Sequence, residues 1–322
     1  MGITLRGLSH VDIPAWAVLL NAAEKVDHTG EHYTEGDLAE ELSNPEIELG
    51  KDLMGAFHGA DLIGYFGVLP RGAADGRFTM HLQGSVLPAR RGQGVGTGLV
   101  DAMIDRAKQA HRDRRPDLAL KLKIDGSTAN ESQRELFDAF GLLPRRWSFV
   151  MRNALDGVPA AAQPADGYQV RTYEDSMDEP LRAAHNEAFL DHPDFVPWTT
   201  ALWRQFTTGS RAFRPELTFV VTSVGSSQIA AYLTSSEYDG YFEATGRREA
   251  YVGKLGTLPA HRGAGLASTL LAHALVAYRD AGYDEAALDV DSENPTGALG
   301  IYRRAGFEVE TQSTNYSLVI DP

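Results

Sequence analysis

The 322-residue chain contains no cysteine. That absence removes disulfides, thiolate metal sites, iron–sulfur ligation and a cysteine acyl-enzyme together. There is no uninterrupted apolar run of about 18 residues, so no membrane-spanning helix is expected. The opening residues, MGITLRGLSHVDIP, lack a basic stretch followed by an apolar one. No signal peptide is therefore expected, and a cytoplasmic setting is the default expectation. Positive charge is also scarce: 30 Lys and Arg stand against 44 Asp and Glu, a net charge of −14. Such a field opposes phosphate backbones and anionic lipid, so neither nucleic acid nor a membrane is an expected partner. The ten histidines form no HExxH motif, and no metal site is expected.

What the sequence does contain is a repeat. Residues 87–99, LPARRGQGVGTGL, recur as LPAHRGAGLASTL at 258–270, a displacement of 171. LFDAFGL at 136–142 is echoed by IYRRAGF at 301–307, and ITLRGL at 3–8 by YQVRTY at 168–173, both displaced by 165. Three echoes in the same order, at a domain-sized period, indicate a duplicated domain. The join reads LDGVPAAAQPADG at 155–167, where small residues and two prolines replace any apolar periodicity. The expected organisation is a first domain at 1–154, a linker at 155–167 and a second domain at 168–322.

Both halves read as α/β, with a mixed sheet and flanking helices. In the second, apolar and β-branched runs at 217–222 and 228–233 flank a Gly-Ser turn, the pattern of a hairpin. A strand at 249–257 leads into the glycine-rich loop, and a helix follows from Leu266 with Gly282 as its stop. A buried strand at 285–290 precedes a helix capped by Asn294, with Pro295 in its first turn and Gly306 at its end. Closing strands are expected around Phe307 and at 316–320. The first half repeats this order: strands at 61–68 and 78–86, helix 95–110, strand 118–124 and helix 131–140.

Each loop, RGQGVG at 91–96 and RGAGLA at 262–267, follows a strand and opens a helix. Unpaired backbone N–H groups converge there, and glycines let a ligand come close, so the turn can hold a phosphate or pyrophosphate. A ligand-free tight turn is the alternative. A P-loop is excluded because no lysine follows the last glycine. A dinucleotide fingerprint is disfavoured because each loop comes after several strands.

The loops and the later Asn294, Tyr302, Gly306 and Phe307 resemble the two motifs of the GCN5-related N-acetyltransferase (GNAT) superfamily. The resemblance extends over both halves, as in its tandem two-domain members such as mycothiol synthase and related actinobacterial acetyltransferases. It implies two GNAT-like domains and acetyl-CoA as cosubstrate, with one molecule at each loop as the fullest occupancy. The pyrophosphate would rest on Leu87, Arg91, Gly92, Gly94, Val95 and Gly96 in the first half. In the second it would rest on Arg262, Gly263, Ala264, Gly265, Leu266 and Ala267, with Asn294 nearby. Strands 249–257 and 285–290 would splay to admit the pantetheine arm, which would pair with backbone groups of Leu255 and Thr257.

The implied reaction is direct attack by the amine of a small polar acceptor, with no acyl-enzyme. Tyr302 would donate a proton to the departing thiolate, and Glu249 is the first candidate for the general base. Tyr251 lies on its strand face, Asp289 and Asp291 share a face at the end of the partner strand, and Glu237 and Glu243 are weaker substitutes. His192, Asp194, Trp198 and Trp203 would face the acceptor, unless the tryptophans only pack. The first half has Phe137 where the second has Tyr302, and its path from Pro88 to Gly141 spans 53 residues against 47 from Pro259 to Gly306. The first domain is thus expected to hold CoA without chemistry, and the protein to be a monomer or homodimer. A non-catalytic acyl-CoA-binding protein is the alternative reading.

Overall fold

The computed structural model describes residues 2–128, 130–158, 163–192, 195–292 and 297–321. The chain forms two compact units. The N-terminal unit comprises Met1–Ser148 and Thr311–Pro322, and the C-terminal unit is Phe149–Glu310.

The N-terminal unit begins with β1 (Ile3–Gly7), α1 (Ile13–Asp27) and α2 (Glu35–Leu42). It continues through β2 (Leu53–His58), β3 (Asp61–Ala74) and β4 (Arg77–Val86) to α3 (Val95–Arg114), β5 (Ala119–Ser127) and α4 (Glu131–Ala139). β6 (Leu143–Asn153) starts here and ends in the second unit. β1 to β4 are joined antiparallel, whereas β4 and β5 run parallel. Leu62 to Pro70 of β3 are buried without a break, which marks a strand covered on both faces. α3 buries Val95, Leu99, Val100, Met103, Ile104 and Ala107, a stripe at helical spacing that packs on β3 to β5.

The C-terminal unit repeats the plan. β7 (Tyr168–Thr172), α5 (Asp178–Ala188), the single turn α6 (Thr200–Trp203), β8 (Phe219–Ser223) and β9 (Ile229–Ser236) lead to α7 (Asp239–Thr245) and β10 (Glu249–Thr257). Then come α8 (Leu266–Asp280), β11 (Glu285–Asp291), α9 (Ala298–Arg304) and β12 (Glu308–Ile320). β7 to β10 are antiparallel neighbours, and β10 and β11 run parallel. α8 buries Leu266, Leu270, Leu271, Ala274, Leu275 and Tyr278, and Gly282 follows it in the left-handed conformation (φ 78°).

The mixed α/β architecture and its duplication are as the sequence implies. The boundary differs in two places: the units part between Ser148 and Phe149, so 149–154 and the expected linker fall in the second unit, and the last residues change unit. Residues 311–322, which the sequence reading gave to the second domain, pack in the first unit, because Ser313–Ile320 pair antiparallel with Leu120–Ser127 of β5. Tyr316 of that segment lies 5.1 Å from the Phe137 ring, inside the N-terminal core. Helices α1, α2 and α7 have no counterpart among the elements expected from the sequence.

Candidate active site

The strand that enters each glycine loop is paired on one side and released on the other. In the C-terminal unit, β10 and β11 pair from Glu249↔Glu285 to Val252↔Leu288 and no farther. Residues 253–257 keep only their pairing with β9, so among the described residues their other edge has free backbone groups. A register shift at Gly253 bends β10 at the point of release. In the N-terminal unit, β4 and β5 likewise part after Leu82↔Ile124, but β4 has no bulge there. The splay expected of strands 249–257 and 285–290 is therefore present, and it is present twice.

The two loops have one backbone design. Gly92 and Gly94 have φ of 72° and 79°, and Gly263 and Gly265 have φ of 82° and 73°. Only glycine adopts this left-handed region without strain. A Cβ added at any of the four would meet nothing within 4 Å, so each turn is an open cradle. Val95 and Leu266 then start α3 and α8, whose first N–H groups have no intrahelical acceptor. These are the donors that a pyrophosphate needs. Gly96 is the tight position: a Cβ there would lie 3.2 Å from Leu136 Cδ2, where the second unit has Ala267. Leu87 donates its N–H to Ile63 at 2.9 Å, as Leu258 does to Ala230, anchoring the turn that follows. Ala264 packs against the core beside α8.

Arg91 and Arg262 turn out to be struts. Arg91 donates to both carboxylate oxygens of Asp27 at 2.7 and 2.6 Å and to the Val86 carbonyl at 3.1 Å. Arg262 donates to Asp191 at 2.6 Å, to the Ala188 carbonyl at 3.0 Å and to the Thr257 carbonyl at 3.3 Å. Each ties the end of the strand before the loop to the end of the unit's first long helix. The side chains are thus committed to the frame, and an anion at the loop would meet backbone.

A second shared device has no obvious signature in the sequence. Asn21 of α1 grips the backbone of Tyr33, donating to its carbonyl at 2.8 Å and accepting from its N–H at 3.1 Å. Asn186 of α5 grips Trp198 in the same way, at 3.0 and 2.8 Å. The residues after these aromatics, Thr34 and Thr199, cap the next helices. All three pairs are displaced by 165, as two of the echoes are. The signal was there, but polar positions far apart in sequence are hard to recognise as one motif.

Tyr302 lies on α9, is 7% exposed, and packs against Phe307 at 6.1 Å between ring centroids. Burial, with the Asp289 carboxylate adding to it, pushes its hydroxyl up to about 12. The phenol therefore keeps its proton at neutral pH, as a donor must. Asp289 is exposed and is the first residue past the last β10–β11 pair. Phe137 holds the matching place on α4, is 3% exposed, and offers no proton.

Glu249 lies elsewhere. It belongs to the first pair of β10 and β11, six residues before Leu255, or about 20 Å along an extended strand. It is buried, with Arg152 Nε and Nη2 both 2.8 Å from its Oε2. Burial raises its pKa and the Arg152 charge opposes the rise. Arg152 also pairs with Glu310 and lies over the Tyr241 ring, whose hydroxyl donates to Glu285 at 2.5 Å. The geometry is that of a closed ion-pair network away from the splay. Glu237 is similarly committed, to Arg214 and Arg248 at 3.0 Å each and to the Tyr283 hydroxyl at 2.7 Å. Glu243 is exposed on α7, and Tyr251 packs on Tyr238 at 5.7 Å.

Trp203 is fully buried with its Nε1 donating to Asp178 at 2.7 Å, which makes it a packing residue. Trp198 is half-buried, with the Lys254 ammonium 4.5 Å from its ring, and His192 lies against Phe189. Leu255 and Thr257 sit on the released stretch of β10, opposite Leu233 and Ala231. Asn294, Pro295 and Asp194 lie outside the described residues. No cluster that could hold a metal occurs among the described residues, and no described helix is long and apolar enough to cross a membrane.

Comparison with known proteins agrees with this geometry. The chain is similar to the mycothiol acetyltransferase of Catenulispora acidiphila, 31% identical over 235 residues, covering 72% of this chain and 70% of that protein. It is also similar to that of Saccharomonospora viridis, 28% identical over 302 residues, covering 93% and 92%. A GCN5-related N-acetyltransferase from Sphaerobacter thermophilus has the same fold, with a TM-score of 0.77, 24% identity and 99% and 96% of the two chains covered. So has a tandem GNAT protein from the clavulanic acid biosynthesis pathway, at a TM-score of 0.70, 19% identity and coverage of 100% and 99%. The sequence profile of the acetyltransferase (GNAT) family matches twice, at residues 17–140 and 176–307. The chain belongs to that family, as a tandem two-domain N-acetyltransferase that uses acetyl-CoA.

Proposed function

We propose that the C-terminal half transfers the acetyl group of acetyl-CoA to the amine of a small polar molecule, and that the N-terminal half holds CoA without turning it over. One observation carries the division: the parting of two parallel strands and the left-handed glycine loop occur in both units, with Tyr302 on the later helix of one and Phe137 at the matching place in the other.

The residues have distinct tasks in this reading. Gly263 to Ala267 hold the pyrophosphate through backbone N–H groups. The free edge of β10, at Leu255 and Thr257, pairs with the pantetheine amides as an added strand would. An N–H near Leu255 polarises the thioester carbonyl, acting where negative charge develops. Bound acetyl-CoA supplies an activated acyl group, so the chain itself needs to place an amine and manage two protons. Tyr302 gives one to the departing sulfur. Asp289, at the mouth of the splay, receives the other from the amine, directly or through water. Glu249 is assigned to the ion-pair network instead. Trp198, pinned by Asn186, forms the acceptor wall. One molecule of CoA at each cradle is the proposed full occupancy.

The test is a screen of amino sugars, amino acids and their derivatives with acetyl-CoA, read as free CoA released. The acceptor used by the mycothiol acetyltransferases is the first compound to include. Transfer that needs Tyr302 supports the reading. Two CoA sites with no transfer to any amine would favour a binding protein.

A further inference from the structure

The C-terminal unit buries a polar pair that this reaction scheme leaves unused. His185 lies on the inner face of α5, and its Nδ1 is 2.7 Å from the Tyr232 hydroxyl. Phe189, Phe195, Trp198 and Trp203 close around the imidazole, with ring centroids 4.7, 5.6, 5.2 and 5.3 Å away. His185 is 3% exposed, and its Nε2 has no hydrogen-bond partner among the described residues. Burial, with the Lys254 and His192 charges adding to it, pushes its pKa down to about 3. The ring is therefore neutral and carries one N–H. Against aromatic faces an N–H is weakly satisfied and a lone pair is not, so the proton belongs on Nε2. Nδ1 then accepts, the Tyr232 hydroxyl donates to it, and the Tyr232 lone pairs turn away from His185.

Tyr232 itself lies against the released stretch of β10. Tyr232 is paired with Gly256 on the released stretch of β10, and a Cβ on Gly256 would lie 2.6 Å from Tyr232 Cε1 and 2.7 Å from its Oη. The phenol thus passes β10 where a side chain is missing. The N-terminal unit lacks the arrangement: Tyr65 is paired with Ser85, which has a Cβ, and packs on Trp16 at 5.2 Å.

We propose that His185 and Tyr232 are a positioning pair for acyl transfer, His185 fixing the Tyr232 hydroxyl and Tyr232 holding the released backbone of β10 at Gly256, next to Leu255, where the thioester carbonyl would be polarised. This rests on the C-terminal half being the site of transfer. Gly256 is then the residue that lets the phenol lie directly against the released backbone.

The test compares Y232F, H185L, H185Q and the double variant Y232F/H185L with wild type and Y302F, with folding and CoA affinity followed in parallel. Acetyl-CoA and the fastest amine of the screen are the substrates; if no amine reacts, hydrolysis of acetyl-CoA is read. Y232F should lower kcat about tenfold, the kinetic weight of one hydrogen bond, and leave KM for acetyl-CoA unchanged. H185L should do the same, and H185Q, which can still accept from the hydroxyl, should recover most of the rate. The double variant should be no slower than Y232F alone, because the two act as one unit. If H185L fails to fold, Y232F and H185Q carry the test. Full rate in Y232F with Y302F impaired, or losses that add, would overturn the pair and leave the proposed function standing. Full rate in both Y232F and Y302F would place transfer outside this cleft and remove both.

Discussion

Phe137 and Tyr302 stand at matching places on α4 and α9, one packed against Tyr316 and the other against Phe307. Around them the two units keep the same supports. The left-handed glycines, the arginine struts, the asparagine clamps and the parting of two parallel strands all occur twice. What differs is side-chain chemistry at the released strands. β10 has a bulge and two glycines there, with Tyr232 and His185 behind them; β4 is straight, with Ser85 opposite Tyr65. Backbone N–H groups and strand edges are enough to hold a nucleotide-like ligand, while proton transfer needs particular side chains. A duplicated domain can therefore lose chemistry and keep binding.

The strongest way to break this comparison is at the phenol. Y302F should lower turnover about 10²–10⁴-fold, the range for loss of a general acid, with folding little changed. F137Y should not create a second active unit, because the added hydroxyl would be buried against Tyr316. Because Tyr302 is pushed up to about 12, its proton is retained below that pH, and any fall in rate between pH 7 and 10 should be the same in Y302F.

Stability toward acid sharpens the contrast next. A buried neutral histidine with a folded pKa near 3 contributes stability that is fully present above its unfolded pKa of about 6.5 and lost as the pH falls through the folded value. His185 should therefore make the C-terminal unit acid-sensitive. In H185Q the drop in melting temperature from pH 7 to pH 4 should be smaller, and an unchanged drop would show that other groups dominate.

E249Q separates a structural carboxylate from a base. It should cost about 1–3 kcal/mol of stability, by weakening a buried charged contact, and leave kcat nearly unchanged. A rate loss of the Y302F size in a folded E249Q would return the base to Glu249. The smallest effect is expected at Gly96, where G96A imitates Ala267. Its Cβ would press on Leu136 Cδ2 at 3.2 Å, and a cost under about 1 kcal/mol is expected from a flexible neighbour that can give.

The sequence shows the cradle clearly because glycine at fixed spacing has one strong physical cause, positive φ. The α8 and β10 boundaries follow from periodicity and turn residues, and 249–257 matches β10 residue for residue. Glu249 illustrates the opposite case: a carboxylate at a strand start looks the same whether its partner is a substrate or Arg152, which lies 97 residues away in sequence. His185 was hidden for a similar reason. On an apolar helix face it reads as core, and only the rings around it and the Tyr232 contact give it meaning. The C-terminal strand crossed the expected boundary because sheet pairing with β5 is a long-range choice that local patterning does not encode.

The central claim is that both cradles hold CoA and only the second transfers acetyl. Gly94 and Gly265 have φ of 79° and 73° and equally open surroundings, so G94W and G265W impose matched strain and matched blockage. Calorimetry should find two CoA sites in the wild type and one in each variant, with acetyl transfer retained in G94W and absent in G265W. Full transfer in G265W together with none in G94W would contradict the account.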